Sequence, residues 1–489
     1  MASYTLIHDL NIFKDCEDAE KVSLDFAKKL DSIDPLSSLA DNFLIPLRSH
    51  KSHKHLDKKS DAVNKVADGD DKDDEGDQGN SKTNNKTSDN DKSVYMNGNS
   101  LGCQPKKTKE YLNHVADDWA KKGLGMHFDG AFLPALYCDE IIRQSMGKLV
   151  GSKFPEKEIV IMNGLTVNLH LFMSSFYRPQ GKKTKILLEE KAFPSDHYAC
   201  ESQVRLANLD PAEELILLKS QQEDDGFYLS SERIIEAIKK HKDEIALILL
   251  PGVQYKTGQY FEMEKITKIA KSYNINIGWD LAHAAGNVPV KLSEWNVDFA
   301  VWCSYKYLNS GAGGIAAAFL HHKHATDFDR PRMLGWFGHK LKTRFEMNNQ
   351  MEFECGALSY RLCNPPPLLV APLKASLDVF DQTSIEQLRQ KSILLTGYLE
   401  YLIETLFEKE QIEIITCKDY RQRGAQLSMK INFGRDINYV ENFLTDQGIF
   451  CDSRHDIVRI APAPLYNSFE DVWRVIDAFY FLINGKRIS

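Results

Sequence analysis

An open, mostly parallel α/β sheet flanked by helices, followed by a smaller α+β unit, is the fold class this sequence predicts. Three observations carry that expectation. Short apolar runs at Ile159–Met162, Lys185–Leu188, Ile245–Leu250, Ile275–Trp279 and Phe299–Cys303 have the length of buried strands, and Ile315–Leu320 behind a glycine-rich turn looks like another. Amphipathic stretches such as Ser230–Lys240 and Met263–Ser272 lie between them, the alternation that builds a parallel sheet. Beyond about Pro372 the pattern changes to a long helix over Ser384–Phe407, strand-like pieces at Ile412–Ile415, Leu427–Ile431 and Ile457–Ile460, and a last helix over Phe469–Ile483.

A chain of 489 residues is too long for one ordinary core. The expected division is an N-terminal helical segment over 1–47, an insert over 48–93, a large domain over 94–371 and a small C-terminal domain over 372–489. Residues 57–92 hold 11 Asp or Glu, 7 Lys and no aromatic residue. Such a stretch cannot bury enough apolar surface to offset its ordering entropy, so the insert reads as disordered. The histidines of the run His50-Lys51-Ser52-His53-Lys54-His55 lack a partner carboxylate or thiol, so a solvated linker is the reading and no metal site is expected.

Composition excludes several function classes. A net charge of −8 argues against a nucleic-acid partner. The longest aliphatic run, Ile245–Leu250, falls far short of the ~20 residues of a membrane span. The amino-terminal stretch resembles neither a secretory leader nor an Arg-rich transit peptide. Nine cysteines with no Cys-x-x-Cys pair fit reduced thiols. A cytoplasmic protein acting on a small molecule is expected.

Two residues suggest chemistry. Asp280, in Trp279-Asp280-Leu281-Ala282-His283, ends an apolar strand, where a carboxylate needs a cationic partner such as a protonated pyridine nitrogen. Lys306, in Cys303-Ser304-Tyr305-Lys306-Tyr307, is expected to close the next strand, where desolvation favours imine formation. Each alone also has a structural reading, as a strand-end ion pair or a solvated lysine. Asn163-Gly164-Leu165-Thr166 leads from a strand into a helix and offers a helix amino terminus to a phosphate or, more plainly, an N-cap. Phe193-Pro194-Ser195-Asp196-His197 follows the next strand and offers an aromatic face to a flat ring, or is an ordinary turn.

Over Tyr95 to about Tyr480 the sequence resembles the kynureninases, pyridoxal phosphate (PLP) enzymes of the aspartate aminotransferase fold, fold type I. The likeness rests on Gly98-Asn99-Ser100-Leu101-Gly102, Leu165 to His170, Lys191 to Tyr198, Asp280 to His283, Cys303 to Asn309, Gly335 to His339, Asn364-Pro365-Pro366 and Arg459 through Phe469. The resemblance implies a seven-stranded large domain with PLP as a Schiff base on Lys306, and Asp280 beside its pyridine nitrogen. It implies that Leu165, Thr166, Phe193, Ser195, Asp196 and His283 contact the cofactor, and that Tyr305 meets the phosphate and passes a proton. Trp336 and Asn364 would complete the pocket, partly from the second subunit of a homodimer. Arg459 would grip the substrate carboxylate, with His127 and Ser100 near the substrate ring. Pro251 and Cys363 stand where animal relatives have serine, which bears on substrate preference. The implied reaction is hydrolysis of kynurenine or 3-hydroxykynurenine. A cysteine desulfurase, the rival of the same fold, needs a nucleophilic thiol, for which Cys355 is the candidate; a packed, inert thiol is the expectation there.

Overall fold

A computed structural model of the protein describes residues 4–48, 92–220 and 227–488. The 57–92 stretch and the histidine run fall almost wholly outside the described residues. Helices of eight or more residues are α1 (Leu24–Ser32), α2 (Thr108–Lys122), α3 (Leu165–Phe176), α4 (Pro194–Leu206), α5 (Ser231–Lys240), α6 (Met263–Ser272), α7 (Pro367–Phe380), α8 (Ile385–Leu406), α9 (Ile437–Asp446) and α10 (Phe469–Asn484). The main strands are β1 (Ile159–Ile161), β2 (Lys185–Glu189), β3 (Leu215–Leu218), β4 (Ile245–Pro251), β5 (Asn276–Asp280), β6 (Phe299–Trp302) and β7 (Ala317–Leu320), then β8 (Ile412–Ile414), β9 (Leu427–Ile431), β10 (Asp452–Arg454) and β11 (Ile457–Ile460).

The first seven strands form one sheet in the order β1-β7-β6-β5-β4-β2-β3. Neighbours from β6 to β3 pair in parallel, and β7 alone runs against both of its neighbours. The apolar runs follow from burial on both faces, which removes any need for polar alternation. In β4, Ile248 and Leu250 enter one core and Leu247 and Leu249 the other. A register shift where β4 meets β2, at Ile245 to Leu247, restores that alternation after a local slip.

The second sheet, β8-β9-β11-β10, is antiparallel and packs with α8 and α10 in a separate core. Ser384 caps α8 and Ser468 caps α10, each with a reciprocal bond from the third helical residue. The N-terminal segment joins this same core: Ile7, Phe13, Phe26 and Leu30 sit beside Tyr398, Leu402 and Phe479. The expected division at 371/372 lies within α7, whose Val370, Ala371, Leu373 and Leu377 all belong to the large-sheet core. The change of core comes along α8, between Leu388, which still belongs to the large-sheet core, and Leu395, which belongs to the other.

Candidate active site

The parallel strands deliver the site residues at their carboxyl ends. β2 ends on Glu189, β4 on Pro251 and β5 on Asp280, while the turns leaving β1 and β2 bring in Leu165, Thr166, Phe193, Ser195 and Asp196. These residues line one cavity with Val253, Tyr255, Ala282, His283, Tyr305 and Lys306. Lys306 does not close a strand as expected. β6 stops at Trp302, and Lys306 follows in a turn because the Gly98–Gly102 segment lies against it, Gly102 N–H donating to the Tyr305 carbonyl at 2.8 Å. A methyl group on Gly102 would stand 2.3 Å from the Lys306 carbonyl oxygen and 2.1 Å from Asn309 Oδ1, so only glycine permits this approach. The Lys306 side chain is buried, with Nζ 5.6 Å from the centre of the Phe193 ring and 5.9 Å from that of Tyr305.

Acidic groups outnumber cationic ones in the cavity, three to one. Asp280 Oδ1 accepts from Ala282 N–H at 2.7 Å, and the Asp280 carboxyl faces that of Asp196. Burial first, then the Asp280 charge, pushes the Asp196 carboxyl well above the usual carboxylate range, and burial raises Asp280 too, so the pair shares a proton. Burial also raises Glu189 to about 8. Asp196 Oδ1 has no hydrogen-bond partner, and neither has His283 Nδ1, whose ring is held neutral by burial and by the nearby Lys306 charge. Burial likewise keeps the Tyr305 phenol protonated. At the mouth of α3 Gly164 provides no side-chain cap, leaving the first-turn N–H groups to an anion, and Thr166 Oγ1 lies 2.6 Å from Ser195 Oγ.

Arg459 sits behind this cavity. β10 and β11 place it directly opposite Asp452, and its Nε donates to Asp452 Oδ1 at 2.7 Å while Nη2 donates to Oδ2. Ser100 Oγ donates to the same Oδ2 at 2.6 Å, and Arg459 Nη1 donates to the carbonyl of Tyr255 at 2.7 Å. Burial works against the Asp452 carboxylate, and the Arg459 bond and charge outweigh it and hold it below the usual range.

Three expected site residues are elsewhere in this chain. His127, Trp336 and Asn364 line a second cavity with Leu124, Phe128 and Cys363, and share no lining with Lys306. Trp336 is 48% exposed, its Nε1 donating to the Arg344 carbonyl at 3.2 Å. Pro251 lines the Lys306 cavity, whereas Cys363 lines the second one. Cys355 is exposed rather than packed and lines neither cavity. Glu189 and Tyr255 were missed, although an acid ending an apolar strand is the same signal that marked Asp280. Glu158, His321 and His322 come together with metal-ligand geometry. Their atoms are already engaged: His321 Nε2 donates to the Ser293 carbonyl at 3.1 Å, and Glu158 accepts from Ser152, Ser293 and His322.

Sheet order, strand-end carboxyl and turn lysine together define the class: this is an α/β enzyme fold of the PLP-dependent fold type I. The apo cysteine desulfurase from Thermococcus onnurineus NA1 has the same fold, with a TM-score of 0.65 at 18% identity over 81% of this chain and 95% of that one. Residues 388–479 match the kynureninase C-terminal domain family. Human kynureninase is 48% identical over 78% of this chain and 82% of its own length, and kynureninase 1 of Aspergillus oryzae is 42% identical over 96% and 94%. The chain belongs to the kynureninase family.

Proposed function

We infer that this protein is a kynureninase, hydrolysing L-kynurenine, or its 3-hydroxy form, to L-alanine and the matching anthranilate with PLP as cofactor. The single observation that carries the reading is the Lys306 cavity, in which three buried carboxyls face one lysine. Glu189, Asp196 and Asp280 are all raised by burial, and a pyridinium beside them would favour their ionised forms; the unpartnered Asp196 Oδ1 and His283 Nδ1 mark room for a polar ring. The residues present therefore fit the cofactor. Lys306 would hold it, Asp280 would keep its ring nitrogen protonated, and Phe193 would stack on its face. The first turn of α3 with Thr166 and Ser195 would take the phosphate. Once bound, PLP supplies an electron sink conjugated to the substrate Cα.

The remaining work falls to the chain's own groups. With the cofactor bound to substrate, the Lys306 amine would be free to move the Cα proton. Water adds to the γ-carbonyl, the Cβ–Cγ bond breaks and the anthranilate leaves. Tyr305, a protonated phenol beside Lys306, is the donor that returns a proton to Cβ. Arg459, held flat by Asp452, would exchange its bonds to Ser100 Oγ and the Tyr255 carbonyl for the substrate carboxylate. His127, Trp336 and Asn364 gather away from Lys306, which supports a homodimer in which they complete the partner's pocket. All nine cysteines are free thiols, which supports a reducing, cytosolic compartment. Among the described residues no helix is long and apolar enough to cross a membrane.

Purified protein with PLP should release fluorescent anthranilate from kynurenine. Lys306→Ala should abolish both this and the visible imine absorption; an imine that persists and is reducible by borohydride would move the cofactor to another lysine.

A further inference from the structure

A third cavity, of about 570 Å³, opens where the two cores meet and shares no lining residue with the Lys306 site. One wall is Tyr260, the start of α6, and Trp295; the other is Arg389 on α8 with the Asp419–Gln422 turn. Its size falls within the range of small-molecule sites, ~300–1,000 Å³.

Arg389 is the anomaly. Five arginines in the described residues are buried. Arg344, Arg361, Arg423 and Arg459 each reach a carboxylate, on Glu354, Asp139, Glu400 and Asp452 respectively. Arg389, only 3% exposed, has no carboxylate within ion-pair distance among the described residues. Its Nη2 donates to the backbone carbonyls of Tyr420 and Arg423, and Nη1 has no partner. The other cations on the cavity wall do not need a new anion in the same way. Lys265 pairs with Glu232 and Glu262, and Arg421 with Asp419, all near the surface, and Lys268 is exposed to solvent. Burial without a counter-charge pulls the Arg389 guanidinium down to about 10, and the groups that oppose this shift are tyrosines, not acids. Leaving a buried charge unpaired is costly, and a cavity beside it gives a diffusible anion access.

The aromatic walls select among anions. Tyr260 donates to the Pro289 carbonyl at 2.6 Å, which fixes its ring, and Trp295 and Tyr420 bring two further rings to the same cavity. A flat apolar body suits those faces, and a planar carboxylate suits a guanidinium. We propose that this cavity binds a small aromatic carboxylate, with the carboxylate on Arg389 and the ring between Trp295 and the Tyr260 and Tyr420 rings. Such a ligand would touch both α6 of the large unit and α8 of the small one.

The test is calorimetric titration of the full-length protein with benzoate, and with benzamide as the uncharged counterpart. Because benzoate could also enter the Lys306 site, the cavity is isolated by two separate variants, Arg389→Gln and Trp295→Leu. Benzoate affinity should fall at least tenfold in each, and wild-type protein should prefer benzoate to benzamide by a similar factor. Should Arg389→Gln fail to fold, Trp295→Leu and the benzamide comparison still decide. The bromine of 4-bromobenzoate, located by its anomalous scattering in a crystal, should lie in this cavity. Benzoate binding unchanged in Trp295→Leu, equal affinity for benzamide, or bromine found only beside Lys306 would each overturn the proposal.

Discussion

Replacing Asp452 with Asn tests how the small domain holds Arg459. The substitution keeps the shape of the side chain and removes its charge. Arg459 and Asp452 are both almost wholly buried, and the carboxylate receives two guanidinium bonds and the Ser100 hydroxyl. An amide can accept at one oxygen only, and its NH2 group would meet a donor. The variant therefore leaves a buried guanidinium without its counter-charge, for which the expected cost is about 3–5 kcal/mol. Equilibrium urea unfolding, followed at the transition that reports the four-stranded sheet, measures it. The pair should also be coupled: Asp452→Leu with Arg459→Met should cost at least about 2 kcal/mol less than the two single changes added together. A loss below about 1 kcal/mol for Asp452→Asn, or additive single changes, would refute the view that the ion pair fixes Arg459.

Three other outcomes are expected. Gly102→Ala should lower PLP retention and stability by about 1–3 kcal/mol, since its methyl group overlaps the Lys306 carbonyl and Asn309, and dialysis against PLP-free buffer with absorbance readout checks it. His321 is kept neutral, its pKa brought down from 6.5 to about 4 by burial and then the Lys323 charge. Between those values the unfolded chain binds a proton that the native state does not, so this contribution is complete above about pH 6.5. It is lost as pH falls toward 4, by up to about 3 kcal/mol. Urea midpoints at pH 7 and 4.5 should show this, and His321→Asn should flatten the difference. Removing residues 57–90 should leave activity intact, because Leu47 pairs with Lys92 and Ser93 N–H donates to the Pro46 carbonyl at 2.9 Å, holding the two flanks side by side. A folded but inactive deletion protein would assign the insert a catalytic role.

Strands were legible wherever both faces are buried. β4 to β6 were placed to within a residue or so because an unbroken apolar run has no other stable setting in this alternation. β3 was not, since Leu217 on this edge strand is 37% exposed and the run Leu215–Leu218 is short and follows an acidic turn. Of the site, Asp280 and the α3 mouth could be read locally. The turn position of Lys306 could not, because it is set by Gly102, some two hundred residues earlier in the chain. Nor could the Asp452 bond to Arg459, which depends on the register of a hairpin whose first strand is only three residues long. The gathering of His127, Trp336 and Asn364 is purely tertiary, with no sequence spacing to announce it.

The N-terminal segment has a consequence for synthesis. Asp31 accepts the backbone N–H groups of Phe469 and Glu470 across 438 and 439 positions, and Thr5 meets Gln390 across 385. This early segment therefore waits for one made much later. Phe13, Phe26 and Leu30 stay without their native cover until α8 and α10 have emerged, so a nascent chain halted near residue 380 carries an unpaired greasy leader beside a finished large sheet. Truncation at either terminus strands the same core.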